Sequence, residues 1–369
     1  MESASLRDYL HLSFCAPKAQ LKLGRLLKRL GSLDSVQKKL LNPDSTHGVD
    51  ELQRQLGLLN GRCKKCDWAI EKALEWQNKP FSYIICYEDP LYPLLLKEVN
   101  DPPPVLYLEG NPDLLSQIQI AIIGSRRASV YGLRNAWWLG QELSKLGVTV
   151  TSGMAAGIDS KAHEGALAQT GATVAVVGTG IDGCYPKQNY GLRQRIRDQG
   201  VVVSEFPLGA PPHAFHFPQR NRIISGLSRG VVVVEAGMKS GSLITARLAM
   251  EQDREVFALP GQITNPMAQG CHQLINDGVK LVQSVDDIAQ EIGLWADDLI
   301  VAVKLIHCGA TTNAERLILN TLKAEPATLD FLLASTSVPE QDLIAGLSVL
   351  EAKKVITFSY GRYSYCDRG

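Results

Sequence analysis

Between residue 118 and about residue 293 the chain repeats one pattern, a short apolar run without polar alternation followed by a segment long enough for a helix. The runs occupy 118–123, 148–151, 173–177, 201–204, 231–234, 256–259 and 280–282. An alternating strand can leave one face in water, but a continuous apolar run has to be covered on both faces, as in a parallel sheet with helices on each side. Intervening segments such as 133–146 and 243–252 have the length of crossover helices. The pattern predicts a Rossmann-like α/β domain, doubly wound on a mostly parallel sheet.

The flanking segments read differently. In residues 1–80, Leu23, Leu26, Leu27 and Leu30 share one helical face, and Ala69, Ala73 and Leu74 share another, with Gly31-Ser32 and Asn42-Pro43 as stops. This predicts a small helical N-terminal domain. From Phe81 strand-like runs at 83–86 and 105–108 flank Asp101-Pro102-Pro103-Pro104, whose prolines forbid a helix. After residue 293, three short helices at 315–323, 329–334 and 340–353 precede a hairpin of 355–359 and 362–366. That is the outline of a winged helix, with 340–353 in the recognition position and Gly361 at the wing tip. Glu340, Asp342 and Glu351 offset Lys353 and Lys354, so this face is expected to meet protein or to serve structure alone, rather than to read a duplex. The expected domains are therefore 1–80, 81–293 and 294–369.

A hydrophobic fraction of 45% excludes a disordered chain. The balance of 38 Lys and Arg against 38 Asp and Glu would also argue against a polyanionic partner, but the charge is unevenly placed. Residues 118–250 hold 14 basic and 7 acidic side chains, whereas residues 286–369 hold 7 and 12. A polyanion responds to the local excess within a Debye length of about 8–10 Å. No basic start followed by an apolar stretch opens the chain, and no run of about 18 uncharged apolar residues occurs, so a cytoplasmic protein without a membrane segment is expected. The eight cysteines are scattered as for reduced thiols. Cys63-Lys64-Lys65-Cys66 has zinc-ligand spacing, but no second pair completes a tetrahedral set.

Ligands of doubly wound sheets sit at the carboxyl ends of the strands, and here those ends are glycine-rich and basic. They read Gly124-Ser125-Arg126-Arg127, then Ser152-Gly153-Met154-Ala155-Ala156-Gly157, then Gly178-Thr179-Gly180-Ile181-Asp182-Gly183. Glycine lets backbone N–H groups close on an oxyanion, and a following helix N-terminus adds partial positive charge. The same glycines would also serve plain strand-to-helix turns; the company of Arg126, Arg127 and Lys187 favours an anion pocket. Gly178, Gly180 and Gly183 match a dinucleotide fingerprint, with Glu205 as a ribose-binding acid. Pro186, however, biases Tyr185 away from the helix that this fingerprint requires.

A second cluster, Phe217-Pro218-Gln219-Arg220-Asn221-Arg222, offers two guanidiniums for phosphate and a ring for stacking. Arg220 and Arg222 do not share a helical face, so one is expected to reach ligand and the other to make a structural pair. A carboxylate and an imidazole, from Asp159, His163 and Glu235, could serve nucleotide or glycosidic hydrolysis. Asp159 as a helix cap and His163 as a satisfied structural residue is the favoured reading, which makes the chain a binder rather than an enzyme.

These residues resemble the DNA processing protein A family, DprA or Smf. The resemblance runs through Gly124-Ser125-Arg126, Ser152-Gly153-Met154-Ala155 with Gly157-Ile158-Asp159 and His163, and Gly178-Thr179-Gly180 with Tyr185-Pro186 and Asn189. It continues in Ser204-Glu205 with Pro207, Arg220-Asn221-Arg222-Ile223-Ile224-Ser225-Gly226, Val234-Glu235-Ala236 with Ser240-Gly241-Ser242-Leu243, Pro260-Gly261, and Gly270 with His272, over about residues 80–285. It implies a single-stranded-DNA-binding recombination mediator of natural transformation and competence. Such a protein protects incoming strands, helps load RecA, and forms a homodimer through the Rossmann-like domain, with neither cofactor nor catalysis. The candidate DNA contacts are then Gly124, Ser125, Arg126, Arg127, Gly153, Gly178, Gly180, Lys187, Asn189, Phe217, Arg220, Asn221 and Arg222. Family members often carry a Gly-x-Gly turn near the N-terminus, where this chain reads Cys15-Ala16-Pro17-Lys18-Ala19-Gln20, so an N-terminal DNA contact is not expected.

Overall fold

The structure is a computed structural model and describes residues 6–15, 20–41, 64–169, 172–294, 313–324, 326–336, 338–352, 355–359 and 362–365. Cys63, the Cys15–Gln20 turn apart from its ends, Asn42-Pro43, Lys353, Lys354 and Gly361 lie outside them. Two compact units are present, Met1–Ile288 and Ala289–Gly369.

The first unit opens with helices α1 (Leu6–Cys15), α2 (Gln20–Leu30), α3 (Leu33–Leu41) and α4 (Lys64–Gln77). The expected leucine face of α2 is buried through Leu23 and Leu27, with Leu26 and Leu30 packed at its margin. Tyr9, Leu10, Leu33, Val36, Ile70 and Ala73 extend the same apolar cluster into Ile84 and Leu106 of the sheet, so helices and sheet share one core. Two polar contacts fix this join: the Tyr9 hydroxyl donates to the Glu88 carboxylate at 2.6 Å, and the Leu33 amide donates to the same oxygen at 2.9 Å.

Nine strands form the sheet: β1 (Ser82–Cys86), β2 (Val105–Gly110), β3 (Gln119–Ile123), β4 (Thr149–Ser152), β5 (Thr173–Val176), β6 (Val201–Ser204), β7 (Gly230–Val233), β8 (Glu255–Ala258) and β9 (Lys280–Leu281). Their order is β1-β2-β6-β5-β4-β3-β7-β8-β9, parallel from β6 to β9, with β1 and β2 antiparallel at one edge. Every residue of β3 to β7 is buried, as their unbroken apolar runs require. The connecting helices are α5 (Leu94–Lys97), α6 (Val130–Lys145), α7 (Ile158–Ala166), α8 (Tyr190–Gln199), α9 (His216–Leu227), α10 (Gly241–Glu251), α11 (Gln269–Asn276) and α12 (Val285–Glu291). From β3 the chain winds outward through β4, β5 and β6, then returns to place β7 on the opposite side of β3. This is the doubly wound arrangement expected from the sequence, and its winding reverses between β3 and β7.

In the second unit α13 (Asn313–Ala324), α14 (Leu329–Thr336) and α15 (Glu340–Ala352) pack with a hairpin of β10 (Ile356–Ser359) and β11 (Arg362–Tyr365). Ile318, Leu322, Leu332, Leu343, Leu347 and Ile356 form their own core. A bridge between Ala327 and Tyr363 ties the hairpin to the segment before α14.

Among the described residues, no helix is long and apolar enough to cross a membrane, and no cluster of three His, Cys, Asp or Glu could hold a metal ion.

Candidate nucleic-acid interface

Where the winding reverses, the loops after β3 and β7 must diverge to opposite faces of the sheet, which leaves a crevice at their carboxyl ends. A cavity of about 900 Å³ opens there. Its walls come from Gly124, Ser125 and Arg126 after β3, Ala155 and Asp159 after β4, Phe217, Arg220 and Asn221 on α9, and residues 237–242 after β7.

Arg126 is exposed at the rim, and Arg127, next to it in sequence, is exposed as well. The Arg126 guanidinium lies 5.5 Å from the centroid of the Phe217 ring, and that ring meets Tyr185 at 5.4 Å and 46°. A cation held over an aromatic face keeps its N–H edges free for a ligand. Ser125 is pinned from both sides: its amide donates to the Glu235 carbonyl at 2.7 Å, and its hydroxyl accepts from the Arg127 amide at 3.0 Å.

Arg220 forms the floor. Its guanidinium is buried and donates through Nη1 to the carbonyls of Gly153 (2.7 Å) and Val176, bracing the ends of β4 and β5. Burial pulls its pKa down to about 10, with nearby Asp159 opposing the shift. Burial likewise pushes the Asp159 carboxyl up to about 6, against the pull of Arg220 and of the amides of Ala155 and Gly153. Asp159 is not the expected helix cap. Gly157 precedes α7, and Asp159 folds back to accept from the Gly153 and Ala155 amides at 3.2 and 3.3 Å.

The glycines do a different job from the one read in the sequence. A Cβ on Gly153 would sit 2.6 Å from Nη1 of Arg220, and one on Gly178 would sit 3.0 Å from the Phe217 ring. These two make room for the side chains of α9 instead of cradling a phosphate with their amides. Gly180 faces away, its amide donating to the Ala210 carbonyl at 2.9 Å. The expectation of three glycine loops side by side is corrected accordingly. The first two loops line the cavity, while the third contributes Tyr185.

Asn189 is buried and bonds the Met154 carbonyl and the Ser160 hydroxyl, each at 2.8 Å, so it ties loops together and does not line the cavity. Lys187 is exposed on the preceding 3-10 turn (Lys187–Asn189), also outside the lining. No helix starts at Gly183; the next begins at Tyr190, as the proline argument against a dinucleotide fold required. Of the arginine pair, Arg222 is the structural member: it is buried against Glu205 at 2.6 Å and Asp101 at 3.5 Å. Glu205 is thus a counter-ion, and the direct-contact role assigned to Arg222 does not fit its burial.

His163 is fully buried, its Nδ1 2.7 Å from the Thr173 hydroxyl, and burial lowers its pKa to about 3, so it stays neutral. Glu235 is buried too, accepting from the amide and hydroxyl of Ser129 and from Asn265. Sequence reading missed the far wall, formed by Met238, Lys239, Pro266, Met267 and Gln269. The signal was available, since these residues follow the carboxyl ends of β7 and β8, the rule already applied to the earlier loops.

A sequence model described as DNA recombination-mediator protein A matches residues 83–293. The chain is 46% identical to Protein Smf of Escherichia coli over 62% of this chain and 63% of that one, so it spans less than two thirds of that relative. It is 46% identical to DNA processing protein DprA of Streptococcus pneumoniae over 59% of this chain and 76% of that one, and 39% identical to Protein Smf of Synechocystis over 76% and 82%. Among solved structures, DprA of Streptococcus pneumoniae superposes with a TM-score of 0.67 at 35% identity, covering 79% of this chain and 99% of that one. DNA processing protein A of Helicobacter pylori, described for its single-stranded DNA binding mode, gives 0.52 at 30% identity over 58% and 96%. With more than half of its length matched and the doubly wound sheet in common, the chain belongs to the DNA recombination-mediator protein A family.

Proposed function

We propose that the chain binds single-stranded DNA at the cavity between β3 and β7 without chemical turnover, as a recombination mediator that protects incoming strands in natural transformation and helps load RecA. The carrying observation is the pairing of an exposed cation with an aromatic face, Arg126 over Phe217, at the rim of a crevice floored by Arg220. This crevice lies in the segment with a twofold excess of basic residues. A flexible strand offers phosphates to Arg126, Arg127, Lys239 and Lys187 on the flank, and bases to Phe217 and Tyr185, so binding is tolerant of sequence. Gly124, Ser125 and Asn221 supply polar contacts on the walls, and Gly153, Gly178, Gly180, Asn189 and Arg222 hold that shape. The single-stranded DNA binding mode described for the Helicobacter pylori protein supports the same ligand class. The engagement of Asp159, His163 and Glu235 in structural hydrogen bonds supports binding over hydrolysis. In this reading the protein works in the cytoplasm as a homodimer through the sheet unit, and the C-terminal unit is a protein-facing winged helix.

Arg126→Ala tests the reading by fluorescence anisotropy with oligonucleotides of several sequences across a salt series. A charge-assisted contact contributes roughly 1.5–3 kcal/mol, so affinity falls at least about tenfold for every sequence. The slope of log affinity against log salt drops by about 0.7 for each phosphate no longer neutralised. Unchanged affinity at all salt concentrations refutes the site.

A further inference from the structure

Beside the cavity lies a feature that the DNA pocket does not absorb. Helix α6 carries Val130, Arg134 and Trp137 at i, i+4 and i+7, one stripe along its surface. Helix α7 faces that stripe with Lys161 and Glu164, and with Leu133 these residues line a groove of about 320 Å³. Val130 is 68% and Trp137 37% exposed. Arg134 makes no ion pair among the described residues.

An indole that only filled a core would be covered, and a solvated helix face would carry polar groups there. An accessible ring that lines one groove with two cations, set on helices and not on loops, is instead the composition with which single-strand binders hold bases and phosphates together. The platform is also firmly seated. A Cβ on Gly165 would lie 2.0 Å from the Trp137 carbonyl, and one on Gly140 would lie 2.3 Å from that of Ala162, so the two helices that carry the groove are in close backbone contact.

The groove follows the cavity closely along the chain. Arg126 is on the cavity rim and Val130 on the groove, with exposed Arg127 between them. Four residues span at most about 14 Å, and Trp137 lies seven helical residues, about 10 Å, beyond Val130, so a strand seated on Arg126 needs more than about four stacked nucleotides at 3.4 Å each to reach the ring.

We propose that the α6–α7 groove is a second contact for the same single strand, with a base stacked on Trp137 and phosphates on Arg134 and Lys161. This inference rests on the reading of the cavity as a single-strand site. The groove adds discrimination, since a duplex keeps its base faces stacked and has none to offer Trp137. Glu164 restrains it by pairing with Lys161 at 2.5 Å, where it competes with a phosphate.

Anisotropy on the full chain, with oligothymidylates of about 4 and about 16 nucleotides, tests this over the range of site sizes seen for single-strand binders. Trp137→Ala leaves the short strand unaffected and weakens the long one about tenfold, while Trp137→Phe restores most of the loss. Arg134→Ala weakens the long strand and lowers its salt slope. Glu164→Gln frees Lys161 and tightens the long strand severalfold. Equal losses on both lengths, or none on the long strand, overturn the groove. A change of oligomeric state in Trp137→Ala with DNA affinity intact assigns the groove to a second copy of the chain and also overturns it. Wild-type protein that binds neither length sinks the cavity reading and the groove with it, whereas wild-type binding of both lengths with inert Trp137 and Arg134 variants sinks the groove alone.

Discussion

Asp159 and Arg220 show how a cavity proposed to take an anion can hold a carboxylate. Each is buried, each loses hydration, and each compensates the other, so removing either leaves an uncompensated charge beneath the loops. The Asp159 carboxyl has its pKa raised from 3.8 to about 6, chiefly by burial. The folded state therefore takes up a proton that the unfolded chain takes up only at lower pH. The stability this confers is fully present below about 3.8 and is lost as pH rises through about 6. His163 works the other way: with its pKa lowered from 6.5 to about 3, its contribution is present above 6.5 and lost as pH falls. Comparing wild type with Asp159→Asn cancels the histidine. A shift of about two pH units corresponds to about 3 kcal/mol. Urea unfolding between pH 7.5 and 4 is expected to show the stability difference moving toward wild type by about 1–3 kcal/mol as pH falls. A pH-independent difference would mean that the Asp159 carboxyl titrates alike in the folded and unfolded chain.

At the scale of elements, the strands were legible because burial on both faces demands unbroken apolar runs, and 118–123, 173–177 and 201–204 fell within a residue of β3, β5 and β6. The loops were legible as a candidate site because the winding rule points to the strand ends, where a cavity opens. What could not be read was which polar residues those loops turn inward. Arg222 and Arg220 look alike in sequence, and only the placement of Asp101 and Glu205 decides that the first is a buried pair. The start of α6 is a further case. Ser129 caps it by accepting from the Gly132 amide at 3.1 Å while its own amide and hydroxyl donate to Glu235. Thus Glu235, which reads as a candidate catalytic carboxylate, is an anchor joining the end of β7 to the helix after β3. Ser129→Ala removes the cap, at about 1 kcal/mol, and one donor to a buried carboxylate, at about 1–3 kcal/mol. The expected loss of about 2–4 kcal/mol corresponds, for a unit of this size, to a fall of about 3–7 °C in Tm. A fall below one degree would show that Glu235 keeps its place without the serine.

The whole molecule separates its charge along the same line as its cores. Residues 1–288 carry 31 Lys and Arg against 28 Asp and Glu, and residues 289–369 carry 7 against 10, so electroneutrality is the sum of a basic and an acidic unit. Among the described residues, the apolar cluster from Tyr9 to Leu274 serves the first unit and the cluster from Ile318 to Ile356 the second, with no residue common to both. Cooperative unfolding follows a shared core, and two cores give two transitions. At about 0.7 kcal/mol per residue the enthalpies near 60 °C are about 200 kcal/mol for the larger unit and about 60 kcal/mol for the smaller. Calorimetry of the full chain should resolve them at that ratio, and a chain ending at Ile288 should keep the larger transition at the same temperature. Adding oligonucleotide ties this division to function, because ligand stabilises only the unit that binds it, by about 2.7 kcal/mol at a hundredfold excess over Kd. The larger transition is expected to rise with oligonucleotide while the smaller stays fixed. One transition with equal calorimetric and van't Hoff enthalpies would show that the units unfold as one, and a rise of two separate transitions together would show that the acidic unit shares in DNA binding.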